Sequence, residues 1–129
     1  MSSTQIAIQS TFDVALARHQ LRKQMAEEVW PPPYRARAAA ALTTLTEIVL
    51  RSQTPAVLII STLQKTDSLG LGLSCNIRWQ AAQDDWLAQA RHQLERAADQ
   101  VEIADEAGHT RIDAYLWLPH DQALSASAR

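Results

Sequence analysis

Leu94-Glu-Arg-Ala-Ala-Asp-Gln-Val-Glu-Ile-Ala-Asp-Glu-Ala-Gly-His-Thr-Arg-Ile-Asp-Ala-Tyr-Leu-Trp-Leu118 is the stretch whose reading decides the fold. It reads as a helix end, a short strand over Val101–Ala104, a turn at Gly108 and a closing strand over Thr110–Leu118. In that last strand Ile112, Ala114, Leu116 and Leu118 share one face. Arg111, Asp113, Tyr115 and Trp117 share the other, because side chains alternate along an extended chain.

The clearest periodicity lies just upstream. Leu69, Leu71, Leu73, Cys75, Ile77 and Trp79 alternate with Gly70, Gly72, Ser74, Asn76, Arg78 and Gln80, which predicts a half-buried strand. The polar Lys65–Ser68 segment joins it as a hairpin to an apolar run over Val57–Leu63, expected to be a central strand. Near the N-terminus, Ile6 and Ile8 alternate with Gln5, Ala7 and Gln9 as a short strand.

Three segments carry helical spacing instead. From Phe12 to Val29, Val14, Ala17, Leu21, Met25 and Val29 recur at three- and four-residue steps. Ser10 or Thr11 caps that helix, Asp13 sits in its positive first turn, and Trp30-Pro-Pro-Pro33 stops it. A second helix runs from Tyr34 to about Ser52 and buries Ala38, Ala41, Leu42, Leu45, Ile48 and Val49. Thr54-Pro55 ends it. A third, from about Asp84 to Ala98, buries Leu87, Ala90 and Leu94, with Trp86 flanking.

The order β-α-α-β-β-α-β-β predicts an α/β two-layer sandwich: a mixed or antiparallel sheet of about five strands with three helices on one face. At 129 residues, 47% apolar and 20% charged, the chain fits one domain, taken as residues 1–118 with a flexible tail over 119–129. A net charge of −2 gives no electrostatic reason to expect nucleic acid or an acidic membrane surface. No apolar run approaches the roughly 20 residues of a membrane helix. The N-terminus lacks the pattern of a signal peptide, so a cytoplasmic location is expected. Cys75 is the only cysteine and reads as a small core residue. His19, His92, His109 and His120 lack metal-ligand spacing, so no metal site is expected. No Ser/His/Asp constellation marks a catalytic site.

Several pieces, in order, resemble the anti-sigma-factor serine kinases. These are small GHKL (histidine-kinase-like ATPase) proteins of bacterial partner-switching pathways. Phe12-Asp-Val-Ala-Leu-Ala-Arg18 is similar to the family's first helix. Arg37–Arg51 occupies the place of the second helix, which carries the N-box, and Asp99–Leu118 is similar to the closing segment, with the turn shortened to Gly108-His109-Thr110. The resemblance implies a GHKL-like fold. It also implies where ATP and Mg²⁺ would bind in a working kinase.

The positions that carry that chemistry are altered. The N-box glutamate and asparagine fall at Thr44 and Ile48. A threonine cannot act as a base near neutral pH, and isoleucine cannot ligate Mg²⁺. Glu47 is out of register, with Arg51 at i+4, and that pair reads as a surface ion pair. No Asp-x-Gly-x-Gly motif follows the strand ending near Trp79. Only about Ala81–Gln83 stand where the family has a long lid, so a GHKL-like domain without an ATP lid is expected. Gly70 and Gly72 look like a glycine box but lie in a strand far from the next helix start. Paired strand glycines more often mark close backbone approach.

Four tryptophans stand beside one phenylalanine and two tyrosines. Tyr115 and Trp117 on the outer sheet face, with Trp86 and Trp30 partly exposed, are the candidate partner-binding residues, serving a dimer or a heterologous protein. The expected function is a non-catalytic regulatory module without a cofactor. By the resemblance, its partners would be a STAS-type anti-anti-sigma protein, a sigma factor or a phosphatase. Two alternatives compete: an active kinase using Mg-ATP through Glu47, Gly70 and Gly72, and a homodimeric structural or sensory subunit.

Overall fold

Period-two segments become five strands and the helical stripes become three helices in the computed structural model, which describes residues 3–65, 68–78, 84–106 and 108–119. The elements are β1 (Ser3–Ile8), α1 (Thr11–Glu27), α2 (Pro32–Arg51), β2 (Ala56–Lys65), β3 (Ser68–Ile77), α3 (Asp84–Ala97), β4 (Gln100–Glu106) and β5 (His109–Pro119). All pairings are antiparallel, in the order β1-β2-β3-β5-β4. The α+β class, the five strands and the three helices agree with the sequence reading. Trp79, His120 and the remainder of the expected tail lie outside the described residues. The strand β5 itself runs one residue into that tail, to Pro119.

The inward rows are those the alternation assigned. Leu58 and Ile60 of β2, Leu71, Leu73, Cys75 and Ile77 of β3, and Ile112, Ala114, Leu116 and Leu118 of β5 are buried. Leu42, Leu45, Ile48 and Val49 of α2 meet them in one core. No described helix is long and apolar enough to cross a membrane.

Local chemistry sets the helix ends. The Asp13 carboxylate accepts hydrogen bonds from the Gln9 and Ser10 backbone amides at 2.8 and 3.1 Å, fixing the entry to α1. At the other end Val29 takes a left-handed φ of 57°. The Trp30 amide then donates to the Met25 carbonyl at 3.0 Å, a Schellman closure. This turn folds the indole inward, so Trp30 is 1% exposed. Its Nε1 donates to Glu28 Oε1 at 3.0 Å. The other Glu28 oxygen accepts from Thr62, which itself accepts from the buried Gln24 amide at 2.8 Å. The helix α2 starts at Pro32 rather than Tyr34, because proline's fixed φ and missing amide suit a first helical turn.

A latch ties the helical layer to the sheet end. Asp99 Oδ1 pairs with Arg37 Nη2 at 2.6 Å, and Asp99 Oδ2 accepts the Trp117 amide at 2.7 Å. Arg37 Nε also donates to the Ala97 carbonyl at 3.0 Å, joining the end of α3 to α2.

Candidate functional site

The resemblance places nucleotide chemistry on α2, at Thr44 and Ile48. Thr44 is 7% exposed and donates its hydroxyl to the Ala40 carbonyl of its own helix at 3.2 Å. Ile48 is 0% exposed, a hydrocarbon wedge within the core. Glu47 points to solvent. Between α2 and α3 runs an open groove of about 580 Å³ lined by Ala36, Arg37, Ala40, Thr44, Gln93, Arg96 and Ala97. That lining offers no carboxylate or amide oxygen except Gln93, whereas Mg²⁺ demands several oxygen ligands. Among the described residues no cluster of histidine, cysteine, aspartate or glutamate could hold a metal. The described lining of this groove therefore does not fit Mg²⁺. From Ile77 to Asp84 only positions 78–83 remain for the connection, and 79–83 fall outside the described residues.

Gly70 and Gly72 lie in the middle of β3, opposite Trp117 and Tyr115 in the β5 register. A Cβ built on Gly70 would stand only 2.3 Å from Trp117 Cζ3. The glycine is there because the indole lies on its backbone. Gly72 meets Tyr115 and Leu63 no closer than 3.5 Å. Close backbone approach is thus the role of Gly70, on the sheet face away from the helices.

On that outer face the Tyr115 and Trp117 rings stack at 6.3 Å, 17° from parallel, and Lys65 Nζ stands 4.1 Å above the indole. Burial raises the Tyr115 pKa, assisted by the Asp113 and Glu102 charges and opposed by Arg111. Trp86 is half-buried, with the Arg51 guanidinium 4.5 Å over its ring. Trp30 is a correction: its indole is in the core and offers no surface to a partner. Cys75 is buried, and that burial, with a smaller push from Asp113, raises its thiol to about 12. It stays protonated at neutral pH and is no nucleophile.

A second concave surface lies elsewhere, between α1 and α2. A cleft of about 500 Å³ has Leu21, Met25 and Leu42 as its floor and Ala26, Ala36 and Ala39 as its walls. The alanines are too short to close it. Arg18, Arg22 and Arg35 rim it, and among the described residues no acidic side chain joins the lining. Arg18 Nη2 donates to Thr43 Oγ1 at 3.3 Å and Arg35 Nε to the Trp30 carbonyl at 2.6 Å, which holds two guanidiniums at the edge. An apolar trough with cationic edges suits a segment of protein with apolar anchors and acidic flanks. The sequence signal was the repeat Arg18-x-x-Leu21-Arg22-x-x-Met25. It becomes a groove only once α2 supplies the opposite wall.

No family model matches the chain, and no curated protein does. Solved structures do match. The RsbU and RsbW domains of Rv1364c from Mycobacterium tuberculosis align over 92% of this chain and 34% of their own, with a TM-score of 0.68 at 19% identity. The SiaB–SiaC complex from Pseudomonas aeruginosa aligns over 92% of this chain and 90% of the matched chain, with a TM-score of 0.59 at 9% identity. This chain spans about a third of the length of the first. At such identities the likeness is one of fold, consistent with the GHKL-like arrangement expected from sequence.

Proposed function

We propose that the chain is a regulatory module that binds another protein in the α1–α2 groove and uses no nucleotide. The observation that carries this reading is the contrast between two surfaces of one helical layer. On α2 the two positions expected to serve ATP are a self-bonded threonine and a core isoleucine. Beside it, three arginines surround an apolar cleft. The solved SiaB–SiaC complex, whose matched chain is almost fully covered, is itself an assembly of two proteins, which supports a protein ligand. By the resemblance, the partner classes to try are STAS-type anti-anti-sigma proteins, sigma factors and phosphatases from the same cell.

The test is calorimetric titration of the purified chain with purified members of those three classes. One of them should bind, and Arg18→Glu combined with Arg22→Glu should weaken it by about 100-fold or more. Desolvated interface arginines are typically worth 1–2 kcal/mol or more each, and 1.4 kcal/mol is tenfold. Arg35 is left in place because it also closes the α1–α2 connection. Arg96→Glu, in the α2–α3 groove, should change affinity less than about twofold, the range of a surface charge outside an interface. Undiminished binding by the double variant, or no binding by any of the three classes, would refute the proposal.

A further inference from the structure

The helices pack on one face of the sheet, and the other face carries an aromatic pair that the α1–α2 groove does not involve. Each ring stands across from a glycine of β3, Trp117 from Gly70 and Tyr115 from Gly72. No side chain rises from β3 beside either ring, so both lie over bare backbone and stay partly exposed. The rings are 17° from parallel with centroids 6.3 Å apart, which makes a short apolar shelf along β5.

The polar groups on these rings are of one kind. Trp117 donates its backbone amide to Asp99, but among the described residues neither its indole N–H nor the Tyr115 hydroxyl has a hydrogen-bond partner. An indole N–H only donates. The phenol keeps its proton at neutral pH, because burial raises its pKa, helped by Asp113 and Glu102 and opposed by Arg111. The charges beside the rings, Lys65, Arg111, Asp113 and Glu102, cancel, which gives a polyanion no hold. Arg111 pairs with Asp113 at 3.1 Å. Lys65 has no ion pair among the described residues, and its Nζ rests 4.1 Å over the indole. Register sets Lys65 level with Pro119 and Glu102 level with Asp113. Those two levels are about 20 Å apart along β5, at roughly 3.4 Å per residue.

We infer that this shelf binds a proline-rich segment of another protein in the polyproline II conformation, with an acidic residue beside Lys65 and a basic one beside Glu102. Aromatic-lined surfaces take such segments because the ligand is already extended and loses little entropy on docking. Polyproline II has no internal hydrogen bonds, so every carbonyl of the ligand is open to accept. Proline also brings no amide that would need an acceptor. That composition answers a shelf whose unpartnered groups are both donors. At about 3.1 Å per residue, six or seven residues of such a segment span the distance from Lys65 to Glu102. Charges of opposite sign at its two ends meet Lys65 at one level and Glu102 at the other, which fixes the direction of the bound chain.

The shelf lies on the sheet face away from the helices, so the inference stands or falls apart from the groove proposal. The probe is a fluorescein-labelled peptide of five prolines between an aspartate and a lysine, titrated with the full chain. Fluorescence polarisation should show saturable binding with a dissociation constant below about 1 mM. In nitrogen-15 spectra of the unmodified chain the Trp117 indole N–H should move as peptide is added, while those of Trp30 and Trp86 stay in place. Trp117→Ala should weaken binding by about tenfold or more, as loss of an aromatic anchor does. Tyr115→Phe should weaken it by about threefold, the loss of one hydrogen bond. A peptide with glycine and serine in place of the prolines should bind at least about tenfold more weakly, because it must be ordered on docking. The spectra of the unmodified chain decide the matter if the alanine variant fails to fold. Absence of saturation at several millimolar peptide, shifts at Trp30 or Trp86 in place of Trp117, or equal binding of the glycine-serine peptide would overturn the inference.

Discussion

Thr44→Glu combined with Ile48→Asn, which rebuilds the glutamate and asparagine of a working N-box, is expected to destabilise the chain by about 3–5 kcal/mol and to confer no nucleotide binding. Ile48 is fully buried among core side chains. Replacing it with asparagine forfeits the burial of a large aliphatic group and strands an amide where no partner waits. Thr44 has almost no exposure, so a glutamate there must desolvate its carboxylate or stay protonated. Set against the 5–15 kcal/mol by which domains of this size are usually stable, the loss is severe. Urea unfolding midpoints measure it, with Ile48→Val as the packing control at about 1 kcal/mol. A double variant of native stability that gains Mg-ATP affinity would mean that α2 faces a usable nucleotide site.

The second large effect is expected at Gly70. An alanine there puts Cβ within 2.3 Å of the Trp117 ring, so the indole must leave. It then loses its stack on Tyr115 and its contact with Lys65. A cost of about 1–3 kcal/mol follows, the range of overpacking. In a Trp117→Ala background the same substitution should be neutral or slightly stabilising, since glycine weakens a strand by roughly 0.5–1 kcal/mol relative to alanine. Gly72→Ala should be near neutral even with wild-type Trp117, its neighbours being at ordinary contact distance. A double-mutant cycle by denaturant unfolding gives the coupling directly. Equal tolerance at the two glycines would mean that the ring does not rest on Gly70. Loss of nucleotide affinity with unchanged stability would return them to a phosphate-binding role.

Most of this fold was legible because its periodicities are clean. The alternation from Leu69 to Ile77 and from Thr110 to Leu118 placed each inward row correctly, and Ile112, Ala114, Leu116 and Leu118 are all buried. The outer aromatic pair was legible for the same reason, as Tyr115 and Trp117 fall on the opposite parity. The expectation of a partly exposed Trp30 fails, since its indole is buried. The deciding feature is a left-handed Val29, which turns the next residue back onto the core, and no propensity encodes that. The arginine-rimmed groove was missed on other grounds. Arg18 and Arg22 look like an ordinary solvated helix face. Only tertiary placement of Ala36, Ala39 and Arg35 on α2 opposite them turns that face into a cleft.

A thermal melt of the wild-type chain with and without millimolar Mg-ATP tests the nucleotide-free shell most directly. Ligand at 100 times its dissociation constant stabilises a folded protein by about 2.7 kcal/mol, which moves the midpoint of a domain this size by roughly 10 °C. Coincident curves are expected, because Thr44 and Ile48 are turned to packing and local bonding. A rise of several degrees that requires magnesium would contradict it.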